Sequence, residues 1–131
     1  MEPTIFTRII NGEIPCHKIY EDDKTIAFLD IHPDKPGHTL VVTKVQIDQY
    51  IDLPDEEYIA LWQSVKVVAT RLKLVLGTER VKLYIVGTDI PHVHVHLVPF
   101  SGKNSTVNLN REDVEPDHAA LAAMAQKLTI I

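Results

Sequence analysis

The sequence holds a single cysteine, Cys16, so no internal disulfide can form and no Cys-x-x-Cys zinc motif exists. A reducing, cytoplasmic compartment fits such a chain. His-Glu-x-x-His is missing as well. No apolar run approaches the roughly 20 residues of a membrane span, and the N-terminus lacks a basic region followed by a hydrophobic one. Neither a membrane nor a secretory route is therefore expected, and the glycosylation-like Asn104-Ser105-Thr106 reads as a chance loop sequence. Basic charge is also short. Thirteen Lys and Arg face 18 Asp and Glu, a net charge of −5, which argues against a nucleic acid polymer as partner. A single nucleotide is not excluded, since a few amides and imidazoles can hold one. No repeat, low-complexity tract or long linker divides the chain. One domain over 1–131 is expected, with its core in about 4–100 and a polar loop and C-terminal helix in 101–131.

What the chain does have is His92-Val93-His94-Val95-His96-Leu97-Val98-Pro99. Successive strand side chains point to opposite faces, so the three imidazoles share one face and Val93, Val95 and Leu97 share the other. The aliphatic face can bury itself while the histidine face lines a cleft. A helix would scatter the same residues around its circumference.

Taken in order, Thr4 to Asn11 carries Ile5, Phe6, Ile9 and Ile10 at helical spacing, startable by Thr4 or Pro3 and ended by Asn11-Gly12. Lys18 to Glu21 and Thr25 to Asp30 read as a hairpin around Glu21-Asp22-Asp23-Lys24. Two prolines and a glycine make Asp30 to His38 irregular. His38 to Thr43 is a third strand, and Gln46 to Tyr50 a short helical turn. Pro54 opens the longest helix, with Asp55, Glu56 and Glu57 in the first turn, where the helix dipole favours acid. Its apolar stripe is Tyr58, Leu61, Trp62, Val65, Val68, Leu72 and Val75, and Gly77 is its C-cap. Val81 to Val86 is a fourth strand, joined tightly by Gly87 to Pro91 to the histidine row. Ser101 to Glu115 reads as a loop and Pro116 to Leu128 as a last helix, with Leu121, Met124 and Leu128 inward. Hairpin-like neighbours favour an antiparallel α+β fold.

The row admits three uses. One is a tolerated polar face. The second is a metal site. His-x-His places two ligands about 6.6 Å apart along a strand, with His38 or Asp89 as a third, but the outer row histidines lie about 13 Å apart. The third is nucleophilic catalysis at phosphorus. An imidazole with one nitrogen held protonated can attack through the other, and neighbouring imidazoles can donate to phosphoryl oxygens.

The row resembles the histidine triad (HIT) motif, His-φ-His-φ-His-φ-φ with φ hydrophobic, and the likeness reaches beyond it. Phe6 to Pro15, Tyr20 to Asp23, Ala27 to Ile31 and Pro36 to Val42 are similar to that family's earlier segments, so most of residues 5–100 is covered. The nucleotide-binding branch is the nearest. The resemblance implies an α+β domain with a five-stranded antiparallel sheet, one long helix and a short N-terminal helix. It implies that His94 attacks the α-phosphorus of a nucleoside monophosphate ester or amide, and that water then releases the monophosphate. The backbone carbonyl of His92 would hold the other nitrogen of His94. His96 would contact phosphate oxygens and assist the leaving group, and His38 and His92 would complete the polar cluster. Asp30 matches the acidic residue that accepts both ribose hydroxyls. Phe6, Ile9, Phe28 and Ile31 would wall the base. The partner implied is a purine mononucleotide or its conjugate. A homodimer would form through residues 54–76 and 81–86, with Trp62 and Tyr84 either there or in the core.

Two departures matter. Some relatives hold a structural zinc with two N-terminal cysteines and histidines; here Thr4 and Thr7 stand at the cysteine positions and Gln46 at a histidine position, so no metal and no cofactor is expected. Relatives acting on phosphoramidates often carry a serine or threonine three residues before the first triad histidine. Here that place is taken by Asp89, a carboxylate that repels phosphate and attracts an amine. The activity implied is hydrolysis of nucleoside 5′-monophosphoramidates or related mononucleotide conjugates. The alternatives are a dinucleoside polyphosphate hydrolase, or a nucleotide-binding scaffold with negligible turnover.

Overall fold

Thr4 caps the first helix, α1 (Ile5–Ile10), by accepting a hydrogen bond from the Thr7 amide, and the chain leaves it through Asn11 and a left-handed Gly12. The computed structural model describes residues 2–130, so the first and last residues of the expected 1–131 domain lie outside the described residues. After α1 come β1 (Lys18–Glu21), β2 (Thr25–Leu29), β3 (Thr39–Thr43), a 3₁₀ turn (Tyr50–Asp52), α2 (Asp55–Leu76), β4 (Arg80–Tyr84), β5 (His94–Phe100) and α3 (His118–Leu128). The five strands form one antiparallel sheet in the order β1-β2-β3-β5-β4. The architecture is α+β, as expected.

Period-two alternation sorts side chains to the two faces of this sheet. Ala27, Leu29, Val41, Val93, Val95 and Leu97 pack with Leu61, Val65, Val68 and Leu72 of α2 in the main core. Ile26, Phe28, Leu40 and Val42 point the other way and gather with Phe6 of α1 in a second cluster. The triad histidines emerge on this second face, beside Phe6.

The long helix keeps its expected acidic first turn and ends at Gly77 with φ +68°, the left-handed cap. Its stripe is narrower than read from the sequence. Leu61, Val65, Val68 and Leu72 are buried, Trp62 and Val75 are partly buried, and Tyr58 is 41% exposed. Ser64 is buried within the stripe because its hydroxyl has partners, Thr25 Oγ1 at 2.7 Å and Asp22 Oδ2 at 3.0 Å.

Several boundaries differ from the expected ones. The helical turn lies at Tyr50–Asp52 rather than 46–50, and β4 covers Arg80–Tyr84 rather than 81–86. The last helix begins at His118, because Asp117 caps it by accepting from the Ala120 amide at 3.1 Å. Strand pairing of the histidine row starts at His94. Before it, the Val93 amide donates to the Ile47 carbonyl at 2.8 Å, which is not part of a strand.

Candidate active site

Asp30 closes β2, and the Asp30 amide donates to the His38 carbonyl at 2.9 Å. That bond cinches the proline- and glycine-containing loop and returns His38 beside Asp30. Gly37 makes the return with φ +91°, a conformation open to glycine at little cost. β3 pairs with β5 so that Leu40 faces His96 and Val42 faces His94. Sequence-distant imidazoles therefore meet on one sheet face. Ring centroids of His38 and His96, and of His94 and His96, are 5.2 Å apart.

The hydrogen bonds fix every tautomer. His94 Nδ1 lies 2.7 Å from the His92 carbonyl oxygen, which can only accept. The proton therefore sits on Nδ1, and the Nε2 lone pair is free. His38 Nδ1 accepts from the Asp34 amide at 3.0 Å and from Arg111 Nη1 at 3.1 Å, so its proton is on Nε2. That Nε2–H donates to His96 Nδ1 at 3.0 Å, which leaves His96 with a proton on Nε2. His92 donates from Nε2 to the Thr43 carbonyl at 2.7 Å and accepts at Nδ1 from the Thr4 hydroxyl, also at 2.7 Å.

All four rings are buried, and burial penalises the imidazolium form. Burial, reinforced by the nearby Arg111 charge, drives His38 down to about 2. Burial and the neighbouring His94 take His96 down to about 3. Burial also lowers His94, although its bond to the His92 carbonyl and the charges of Asp30 and Asp89 oppose the shift. Burial lowers His92 against its bond to Thr43. The site thus holds neutral imidazoles: one with a free lone pair, one offering an N–H.

A cavity of about 440 Å³ opens on this face. Phe6, Ile9, Phe28, Asp30, Ile31, Asp89, His94 and His96 all border it, so eight of the expected site residues converge. His38 and His92 stand behind the lining, each fully bonded. Phe6 and Phe28 are buried and tilted at 5.8 Å, whereas Ile31 is 40% exposed at the rim. Asp89 is exposed at the mouth. Asp30 Oδ1 accepts from the His32 amide at 2.8 Å.

Among the described residues, Asp30, His38 and His96 are the group whose ligand atoms lie close enough to share an ion, within 4.8 Å of one another. That trio differs from the His-x-His set considered from the sequence. Its atoms are already committed, because His38 bonds His96 and Asp30 Oδ2 pairs with Arg111 Nη1 at 3.2 Å. A cation there would have to displace a guanidinium, so the donor set fits a hydrogen-bonded cluster better than a metal site.

Two residues were missed from the sequence. The Tyr84 ring stacks on His96 at 4.4 Å and 11°, on the site face rather than in the main core. Its signal was the β4–β5 register, which pairs Tyr84 with His96. Arg111, in the segment read as a plain loop, reaches Asp30, and nothing in its local sequence announces that.

A family described as HIT domain matches residues 11–102. The chain is 40% identical over 100 residues to an uncharacterised HIT-like protein of Methanocaldococcus jannaschii, covering 72% of this chain and 77% of that one. It is 33% identical over 107 residues to the purine nucleoside phosphoramidase of Escherichia coli, covering 74% and 87% respectively. Among solved structures, a HIT-like protein of Bartonella henselae superposes with a TM-score of 0.84 at 28% identity, over 95% of this chain and 92% of that one.

Proposed function

The chain belongs to the HIT domain family, and from that premise we propose that it is a nucleotide hydrolase cleaving nucleoside 5′-monophosphoramidates or related mononucleotide conjugates, within one domain over residues 1–131. The observation that carries this reading is the 2.7 Å bond from His94 Nδ1 to its own strand's carbonyl at His92. It aims an unprotonated Nε2 into the cavity at neutral pH, which is what a nucleophile at phosphorus requires. The relative named for its action, the Escherichia coli purine nucleoside phosphoramidase, supports the same class of chemistry.

The steps follow from the tautomers. His94 Nε2 attacks the α-phosphorus, a P–N bond to His94 forms, and the bond from phosphorus to the leaving amine or oxygen breaks. The positive charge left on the imidazole is shared through Nδ1–H with the His92 carbonyl. His96, whose Nε2–H is set by His38, donates a hydrogen bond to a phosphoryl oxygen or the departing atom as charge develops. The departing group takes its proton from solvent, and the water of the next step returns one, so that one water is consumed overall. Water then cleaves the nucleotidyl-histidine and restores His94. Asp30 accepts the ribose hydroxyls, and Phe6, Ile9, Phe28 and Ile31 wall a purine. Asp89 at the mouth suits an amine leaving group better than an anionic one, which supports the phosphoramidate reading over dinucleoside polyphosphates.

Neither a metal nor a cofactor takes part in this scheme. The functional unit is a homodimer acting on a soluble nucleotide in the cytoplasm. Quenched mass spectrometry with an adenosine phosphoramidate tests it. A monophosphate adduct on the wild type, absent from His94→Ala, supports the mechanism. Tight AMP binding with no adduct and no turnover supports a scaffold instead, and faster cleavage of a dinucleoside polyphosphate supports the other hydrolase.

A further inference from the structure

We propose that Arg111 is the residue through which this chain tells ribonucleotides from deoxynucleotides, an inference that rests on Asp30 as the ribose contact. Residue 111 lies beyond the stretch 11–102 that matches the family.

The Asp30 carboxylate is gripped from two sides. The His32 amide holds Oδ1 at 2.8 Å, while Arg111 Nη1 holds Oδ2 at 3.2 Å and His38 Nε2 stands 3.6 Å from it. The same Nη1 donates to the His32 carbonyl and, at 3.1 Å, to His38 Nδ1. One guanidinium nitrogen thus ties the carboxylate to both ends of the loop around it. A vicinal diol donates two hydrogen bonds at once, and only a carboxylate held in one plane presents both oxygens together. Asp30 borders the histidine cavity, together with His94 and His96.

Arg111 is also a wall. It borders the 440 Å³ cavity that holds His94 and His96, and a second cavity of about 400 Å³ on its other side, floored by Leu121 and Met124 of α3. With the guanidinium in place, Asp30 is nearly buried, at 9% exposure. Truncating Arg111 joins the two spaces and lets water reach the carboxylate from behind. Water then substitutes for whichever hydroxyl a deoxynucleotide lacks, and the difference between the two ligands shrinks.

The test is calorimetric binding of AMP and 2′-deoxy-AMP to the full chain, as wild type, Arg111→Ala, Arg111→Met and Arg111→Lys. For the wild type, AMP binds roughly 10- to 100-fold more tightly than 2′-deoxy-AMP, the range for one hydrogen bond to a charged acceptor. In Arg111→Ala that ratio falls to within about threefold, through loss of AMP affinity. Arg111→Met refills the wall without the charge and lies in between, as does Arg111→Lys, which keeps the charge but not the planar, delocalised guanidinium. A merely structural role weakens both ligands equally. An unchanged ratio with AMP still bound overturns this inference alone, as does tighter AMP binding by Arg111→Ala. No AMP binding by the wild type overturns the nucleotide reading, and this inference with it.

Discussion

The Thr4 hydroxyl lies 2.7 Å from His92 Nδ1 and donates to it. Around that bond stand Thr7 Oγ1, 3.4 Å from both Thr4 Oγ1 and His92 Nδ1, and Gln46 Oε1, which accepts from Thr7 Oγ1 at 2.6 Å and from the Thr4 amide at 3.0 Å. Four polar side chains from three separate segments therefore meet around one point, tying α1 to the base of the triad. Three of them, Thr4, Thr7 and Gln46, are the positions at which the family resemblance implied a departure from zinc-holding relatives.

This arrangement predicts a designed metal site. Ligand atoms around a tetrahedral zinc sit roughly 3.3–3.8 Å apart, only slightly wider than the present spacings. The triple substitution Thr4→Cys, Thr7→Cys, Gln46→His should bind one zinc per chain, with His92 as the fourth ligand, and raise the melting temperature. Elemental analysis and thermal unfolding with and without chelator measure both effects. The wild type, with hydroxyls and an amide that are poor zinc ligands, should hold well below one equivalent. A wild-type zinc displaced by His92→Ala refutes the expectation.

The buried imidazoles predict a one-sided pH profile. His38 and His96 sit at about 2 and about 3 in the folded chain, against about 6.5 when unfolded. The unfolded state therefore binds more protons below pH 6.5, and stability rises with pH in that window. Their contribution is complete above about 6.5. It is lost progressively as pH falls from 6.5 toward 3 and then 2. Melting temperature should be nearly flat from pH 7 to 8 as far as these groups act, then fall steadily on the acid side. Proton resonances of the His38 and His96 rings should not titrate between pH 5 and 8; a midpoint near 6.5 for either contradicts the neutral-imidazole site.

Period and caps explain what was legible beforehand. The alternation of His92 to Leu97 told the faces of β5, because a core excludes polar rings and accepts valine. Thr4 and Gly77 announced helix ends through their own backbone chemistry. Tyr84 and Arg111 stayed hidden for a different reason. Tyr84 meets His96 through strand register, a pairing no local pattern states. Arg111 reaches Asp30 across 81 residues from a segment without periodicity. Tyr58 fitted the helical stripe yet stays exposed; it lies in the first turn of α2, ahead of the first buried residue, Leu61.

Gly37 links backbone geometry to the nucleophile's neighbours. Its φ is +91°, and a Cβ built there meets Leu76 Cδ1 at 2.5 Å and Pro99 Cγ at 3.1 Å. Leu76 can swing aside at the end of α2, but the positive φ remains strained for alanine. Gly37→Ala should cost about 1–3 kcal/mol of stability, read from denaturant midpoints. Because residue 38 follows directly, the shift should also loosen the 3.0 Å His38–His96 bond and lower kcat more than it raises KM. Unaltered stability shows that the loop relaxes without strain.

The outer surface carries a candidate contact for a second copy. On α2, Ile59, Val67 and Leu74 are 55%, 41% and 75% exposed and recur at intervals of eight and seven residues, so they share one face. Next to them β4 is a sheet edge, with Leu83 44% exposed. An edge strand with unpaired amides beside an apolar helix face is the arrangement that invites a second copy. A twofold pairing of β4 with β4 would continue the sheet and bring the two α2 helices together. Light scattering at tens of micromolar should give twice the chain mass. Ile59→Asp with Leu74→Asp places four like charges in that contact and should give a monomer that still melts cooperatively, since neither side chain enters the core. A monomeric wild type at that concentration, or a double variant that remains dimeric, assigns the contact to some other face or to none.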